Sequence, residues 1–413
     1  MAPAGSFESL AAALKGGANS IYFGVEQLNM RTHSSANFTL EDLKEVAQRC
    51  KASNAKAYLA LNTIIYDHDI PFMKKVVEAA KEAGISAVIA SDLAVMQHAK
   101  EVGLTVHIST QANVTNVESV RFFSQWADVV VLARELTLQQ QASIVREIER
   151  KDIKGPGGSL VRTEVFVHGA LCMAVSGKCY LSLHTHNASA NRGACFQNCR
   201  KSYIVTDADD GFEFQMENEN IMSAKDLCTV DILDQVIDTG VSVLKIEGRG
   251  RSADYVYTAT RCYREAADAV LDNTYTPEKV EGWMKDLETV FNRGFWEGYY
   301  LGRKLGEWAK DPGSKATEKK VYIGKGRKFF KQAGAAEFLA ESQQLSVGDR
   351  ILVTGPTTGV VYDEVRELRV DEKQVQTVRK GDVFSMPMNE SIRASDKLYK
   401  LVSTVDQGHP LPA

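Results

Sequence analysis

Through the first 250 residues of this 413-residue chain, short runs of β-branched and aromatic residues alternate with stretches in which apolar positions recur every three or four. Asn19–Gly24, Lys56–Asn62, Ala87–Asp92, Thr105–Thr110, Asp128–Ala133, Thr163–His168 and Val241–Glu247 read as seven strands. Amphipathic stretches such as Leu40–Ser53 and Phe72–Gly84 lie between them. The strands are apolar on both faces, the pattern of a parallel sheet covered by helices. The opening Met1-Ala2-Pro3-Ala4-Gly5 leads straight into a helix at Phe7–Lys15, so it reads as the tail of an eighth strand, with Met1 several residues inside the true strand start. Eight β-α units predict a (β/α)8 TIM-like barrel over residues 1–305. A doubly wound sheet is the alternative, because strand order is not written in local sequence.

After Tyr299 the pattern changes to short strands: Lys320–Phe330, Ala336–Glu341, Asp349–Thr354, Val360–Arg369, Gln374–Arg379 and Leu398–Leu401. They predict a small antiparallel β-barrel over 319–405, joined through a linker over 306–318. The charge also divides there. Residues 301–413 carry 19 basic and 15 acidic side chains, leaving residues 1–300 at −8 within a total of −4. Ten of the basic residues fall between Arg303 and Lys331, against three acids. A basic linker beside a small β domain suits a nucleic-acid backbone, although charge alone fits a solvated linker equally well.

The composition, 44% hydrophobic and 25% charged, is that of a globular protein. With no run of 18 apolar residues and no basic-then-apolar leader, the chain is expected in the cytoplasm and off the membrane. Four of its seven cysteines, Cys172, Cys179, Cys195 and Cys199, fall within 28 residues. In a reducing compartment such a group reads as a metal site. Thiolates suit zinc or an iron–sulfur cluster, and the C-x6-C-x15-C-x3-C spacing does not choose. His184 and His186 lie in the same loop, where exposed imidazoles are commoner than ligands. The loop leaves the seventh strand just after His168, at the carboxyl end where barrels of this kind do their chemistry. The same face should gather Arg31, Asn62, Asp92, Gln111, Asn113, Arg134, Glu135, His168, Glu247 and Arg249. Three arginines among amides and acids suit a carboxylate or phosphate. No nucleophile elbow, His-Glu-x-x-His, dinucleotide fingerprint or P-loop is present.

Glu164–Cys172 followed by Ser176-Gly177-Lys178-Cys179 and Leu181-Ser182 resembles the signature of the family labelled peptidase U32. Asn29-Met30-Arg31, Ser109–Asn113, Arg134-Glu135-Leu136, Ser223–Leu227 and Leu244–Arg249 extend the likeness over most of the chain, and Val347-Gly348-Asp349 resembles the extra carboxy-terminal domain of many members. The resemblance implies oxygen-independent hydroxylation, a [4Fe-4S] cluster on Cys172, Cys179, Cys195 and Cys199 in an insertion spanning 172–240, and prephenate as co-substrate. One barrel plus one small β domain looks most like the branch that hydroxylates the wobble uridine of tRNA, with the anticodon stem-loop as partner. On this reading Arg31, Arg134 and Arg249 bind the carboxylates of prephenate or RNA phosphate. A protease, which the family label suggests, and a non-catalytic RNA-binding protein with a structural zinc are the rivals. Oligomeric state is left open.

Overall fold

The strand–helix alternation is realised as β1 (Ala2–Pro3), α1 (Phe7–Lys15), β2 (Ser20–Phe23), α2 (Leu43–Ala52), β3 (Lys56–Leu61), α3 (Ile70–Glu82), β4 (Ala87–Ala90), α4 (Leu93–Glu101), β5 (Val106–Ile108), α5 (Val117–Phe123), β6 (Val129–Val131), α6 (Leu138–Arg150), β7 (Arg162–Ala170), α7 (Leu233–Asp238), β8 (Val243–Ile246) and α8 (Ala253–Leu271). The computed structural model describes residues 1–32, 37–201, 203–216, 222–302, 306–309 and 313–404. Each of β1 to β6 pairs in parallel with the next, and β7 pairs in parallel with β6 and β8. From β8, the Ile246 amide donates to the Met1 carbonyl at 3.0 Å, and the Met1 ammonium donates to the Leu244 carbonyl at 2.6 Å.

Local chemistry explains the boundaries. Ser6 and Thr137 close capping boxes with Ser9 and Gln140 at the starts of α1 and α6, satisfying amides that the first helical turn leaves free. Asp92 caps α4 by accepting the Ala94 amide, and also accepts the Ile65 amide. This strand-end acid therefore organises backbone. Along α3, Met73, Val76, Val77 and Ala80 form the buried stripe that its sequence period requires. One face of the strands meets these helices in an apolar core, and the other carries Tyr22, Tyr58, Ala87 and Ile89 together with the buried His107, Glu164 and Lys245.

A second sheet follows, antiparallel throughout, in the order Gly359–Glu364, Arg350–Gly355, Lys397–Ser403, Glu318–Phe330, Ala335–Ala340, Val383–Pro387, Leu368–Val370 and Lys373–Val375. The predicted strand Val360–Arg369 is two strands separated by Val365–Glu367, and Val383–Pro387 was not foreseen. This sheet docks on α1 and α8 through Ala12, Ala253, Leu352 and Val360, with Lys15 donating to the Val360 carbonyl at 2.7 Å. In the basic run, Lys320 pairs with Asp254, Lys325 with Glu341 and Arg327 with Glu337, so part of its excess charge is offset internally. Arg303, Lys304 and Lys310 lie outside the described residues.

Candidate active site

A cavity of about 270 Å³ opens where the carboxyl ends of the parallel strands converge. Arg31, Asn62, Gln111, Arg134, Glu247, Arg249 and all four clustered cysteines line it. Four other expected residues do not, among them Asp92, the helix cap already described. Asn113 is in the left-handed region (φ 52°), and its amide donates to the Gln111 and Ser176 carbonyls, tying the cysteine loop to the end of β5. Glu135 points to solvent. His168 is buried among Tyr255, Tyr263 and Phe295, and burial, with a smaller contribution from Arg251, lowers its pKa to about 3. It is a neutral core ring at neutral pH.

Glu247 organises one wall. Its carboxylate accepts from the Arg31 guanidinium at 2.7 and 3.2 Å and from the Tyr22 hydroxyl at 3.0 Å. Burial pushes this carboxyl upward, but Arg31, Arg134 and Arg249 together outweigh that and hold it at about 2. Arg249 donates to the Asn29 side chain at 3.0 Å, and Arg134 lies 4.0 Å over the Phe166 ring. The Nε atoms of Arg134 and Arg249 are buried without a partner among the described residues. Under this wall Lys245 pairs with Glu164 at 2.7 Å, both buried, between the rings of Tyr22 and Phe166. Gly169 (φ 107°) permits this crowding, since a Cβ there would come within 2.4 Å of the Glu247 carbonyl.

The cysteines form the opposing feature. Their loop carries a short helix, Leu181–His186, and a hairpin of Tyr203–Thr206 with Glu213–Met216, then returns as Asp226–Cys228 antiparallel to the end of β7. Three clamps hold it over the mouth. Asn113 grips Ser176, and Arg192 pairs with Asp69 while donating to the Ile64 carbonyl. Arg200 reaches the carbonyls of Leu171 (2.8 Å) and Ala224 (2.9 Å), drawing the two ends of the cysteine segment together. A Cβ at Gly193 (φ 85°) would meet the Asn29 carbonyl at 2.4 Å, so the loop seats directly on the end of the β2 unit. All four thiols are free and none is fully buried. Burial raises the Cys199 thiol pKa, Arg200 opposes this, and Cys172, Cys195 and Cys179 add to it. Soft donors grouped in this way fit a thiophilic metal or cluster, although among the described residues no three His, Cys, Asp or Glu side chains are drawn together to share one ion. His184 and His186 are exposed, with His186 stacked on Phe196.

Sequence reasoning missed Tyr22, Lys245, Arg200, Arg251 and Arg293, which also line the cavity. Arg200 was signalled only by following Cys199 directly, and Arg251 by following Arg249 after one glycine. Among the described residues the lining holds seven arginines and lysines against one carboxylate, Glu247. Among the described residues no helix is long and apolar enough to cross a membrane.

The class this defines is an α/β protein with a cationic, thiol-walled cavity at the carboxyl ends of a parallel sheet. The family model described as peptidase family U32 matches residues 5–310. A Porphyromonas gingivalis protein named collagenase is 55% identical over 400 residues, covering 97% of each chain. The tRNA hydroxylation protein P1 of Bacillus subtilis is 32% identical over 324 residues, 75% of this chain and 74% of that one. The 23S rRNA 5-hydroxycytidine C2501 synthase of Escherichia coli is 31% identical over 299 residues, 71% of this chain and 43% of that one. The chain belongs to peptidase family U32.

Proposed function

We propose that this protein is an RNA-hydroxylating enzyme that adds a hydroxyl at C5 of the wobble uridine of tRNA, without dioxygen and with prephenate as co-substrate. The observation that carries this reading is the pairing, in one cavity, of four grouped thiols with an arginine wall around Glu247. Relatives named for tRNA and rRNA hydroxylation support RNA as the substrate. The two backbone hydrogen bonds between Met1 and β8 support closure of the eight strands into a (β/α)8 barrel, which would fix the strand ends in a ring. The antiparallel sheet would likewise close as a small barrel.

Cys172, Cys179, Cys195 and Cys199 would hold a [4Fe-4S] cluster, which when bound supplies electron-transfer chemistry at the cavity wall. The protein's own residues bind and orient. Arg134 and Arg249, which line the cavity, and Arg31, oriented by Glu247, would take the carboxylates of prephenate. Asn62 is already oriented by Met30 and Ser109 and presents its amide beside Gln111. A cavity of this size admits a base only if it leaves its stack, which costs least for an unpaired anticodon nucleotide. The antiparallel domain and the basic linker would hold the stem by its phosphates.

Nucleoside mass spectrometry of tRNA from a deletion strain tests the proposal: 5-hydroxyuridine and its derivatives should disappear and return with the wild-type gene, and unchanged levels would sink it. The collagenase-named relative motivates a second reading as a protease. Cleavage of denatured collagen by the purified protein, abolished by one nucleophile substitution, would favour it. Iron and zinc analysis after anaerobic purification separates the cluster from a structural zinc.

A further inference from the structure

The cavity carries a second group of cations that the arginine wall around Glu247 does not include. Arg251 lies 3.7 Å over the ring of Phe291, and Arg293 lies 4.9 Å from the same ring. Both approach Asp226, Arg293 at 3.3 Å and Arg251 at 4.0 Å. Asp226 is buried, fixed in the short strand that runs antiparallel to the end of β7, opposite Ala170. Two guanidiniums thus share one carboxylate, leaving one positive charge uncompensated. Arg200 stands nearby with its donors taken up by Leu171, Ala224 and Ser223, which are uncharged, so it adds to the positive excess.

Arg251 is the group with capacity to spare. Its side chain is only 19% exposed, and its 4.0 Å approach to Asp226 is beyond hydrogen-bond reach. None of its five side-chain N–H groups donates to a described residue, and a guanidinium removed from water without acceptors is unfavourable. Stacking on Phe291 holds its plane, the arrangement that suits a two-point contact with an oxyanion. With Asp226 the carboxylate shared by Arg251 and Arg293, the group keeps a positive excess that an anion would offset.

We propose that Arg251, backed by Arg293 and Asp226 and seated over Phe291, is a second anion subsite that takes an oxyanion group of the substrate, a phosphodiester or a carboxylate. The source of that group rests on the functional reading above, while the positive excess that draws it rests on the geometry alone.

The test uses the full-length holoprotein and two variants, Arg251→Met, which keeps the stem and removes the charge, and Arg251→Lys, which keeps the charge and removes the fork. Thermal melting is followed in increasing phosphate or acetate at ionic strength matched with sodium chloride. The wild type should be stabilised by at least one of them, Arg251→Met should lose the effect, and Arg251→Lys should keep part of it. A wild type that responds to neither, or an Arg251→Met variant that responds like the wild type, overturns the subsite. Binding of an anticodon stem-loop RNA and of prephenate then identifies the source. A tenfold or greater loss of RNA affinity in Arg251→Met, with a smaller salt dependence, assigns a phosphodiester. The same loss for prephenate alone assigns a carboxylate. If the wild type binds neither ligand yet its oxyanion response depends on Arg251, the hydroxylase reading fails and the subsite stands.

Discussion

The two domains spend their interiors differently. The antiparallel domain is built around Ile323, Phe338, Ile351, Val353, Phe384, Met386 and Leu398, with Phe338 and Phe384 stacked at 5.7 Å, and its buried acid Asp396 is satisfied by Thr358 and the Arg393 amide. The parallel domain has a larger apolar core but also buries the Lys245–Glu164 pair, His107, His168 and the Glu247–arginine group. Buried charge is costly unless paired. The parallel domain gathers its paired charges inside its sheet and around the cavity, while the other domain is mainly a packing solution.

Substitutions can break this contrast. The largest effect is expected at the thiols: on the proposed function, Cys195→Ser or Cys199→Ser should remove bound iron and bring hydroxylated uridine below detection, while circular dichroism shows the antiparallel domain unchanged. In the interiors, Lys245→Met should cost about 3–5 kcal/mol by stranding Glu164, and the double variant Lys245→Met/Glu164→Leu should recover most of it in urea titrations. Phe384→Ala should cost a similar amount, about 3–5 kcal/mol, by opening a cavity in the other core, but should leave prephenate affinity unchanged.

Acid should separate the domains next. An unfolded histidine takes up its proton near pH 6.5, whereas burial keeps His107 and His168 neutral in the fold down to about 4 and about 3. Between about pH 6.5 and 4 the unfolded chain therefore binds protons that the folded chain refuses, and the parallel domain loses stability. Below that range, Glu247, held at about 2, loses its own contribution as the pH falls through that value. The described antiparallel domain contains no histidine and should melt with a flatter pH profile, and His168→Asn should reduce the slope for the parallel domain. The smallest effect is expected at the junction, where Lys15→Ala removes a partly exposed ion pair with Glu390 and should cost no more than about 1 kcal/mol.

Much of this arrangement was legible beforehand, and the errors have physical causes. Arg31, Asn62, Gln111, Arg134, Glu247 and Arg249 were found by counting to strand ends, because a parallel sheet brings all those ends to one face. Asp92, Asn113, Glu135 and His168 satisfied the same count but turned to capping, loop clamping, solvent and core packing. Position along a strand specifies which end a residue occupies, not where its side chain points. The strand Asp226–Cys228, too short to show a period, escaped notice, and with it the carboxylate that gathers Arg251 and Arg293.

The sequence by itself determined the alternation of strand and helix, the change to an all-β region after Tyr299, and the grouping of four thiols within 28 residues, because each of these is a local pattern. Only the tertiary structure decided which charges meet. Tyr22 beside Glu247, Arg200 beside Leu171, and Arg293 beside Asp226 are contacts across many residues of chain. Whether an arginine is balanced or left needing an anion depends on how many carboxylates share its burial. That quantity does not exist until the chain has folded.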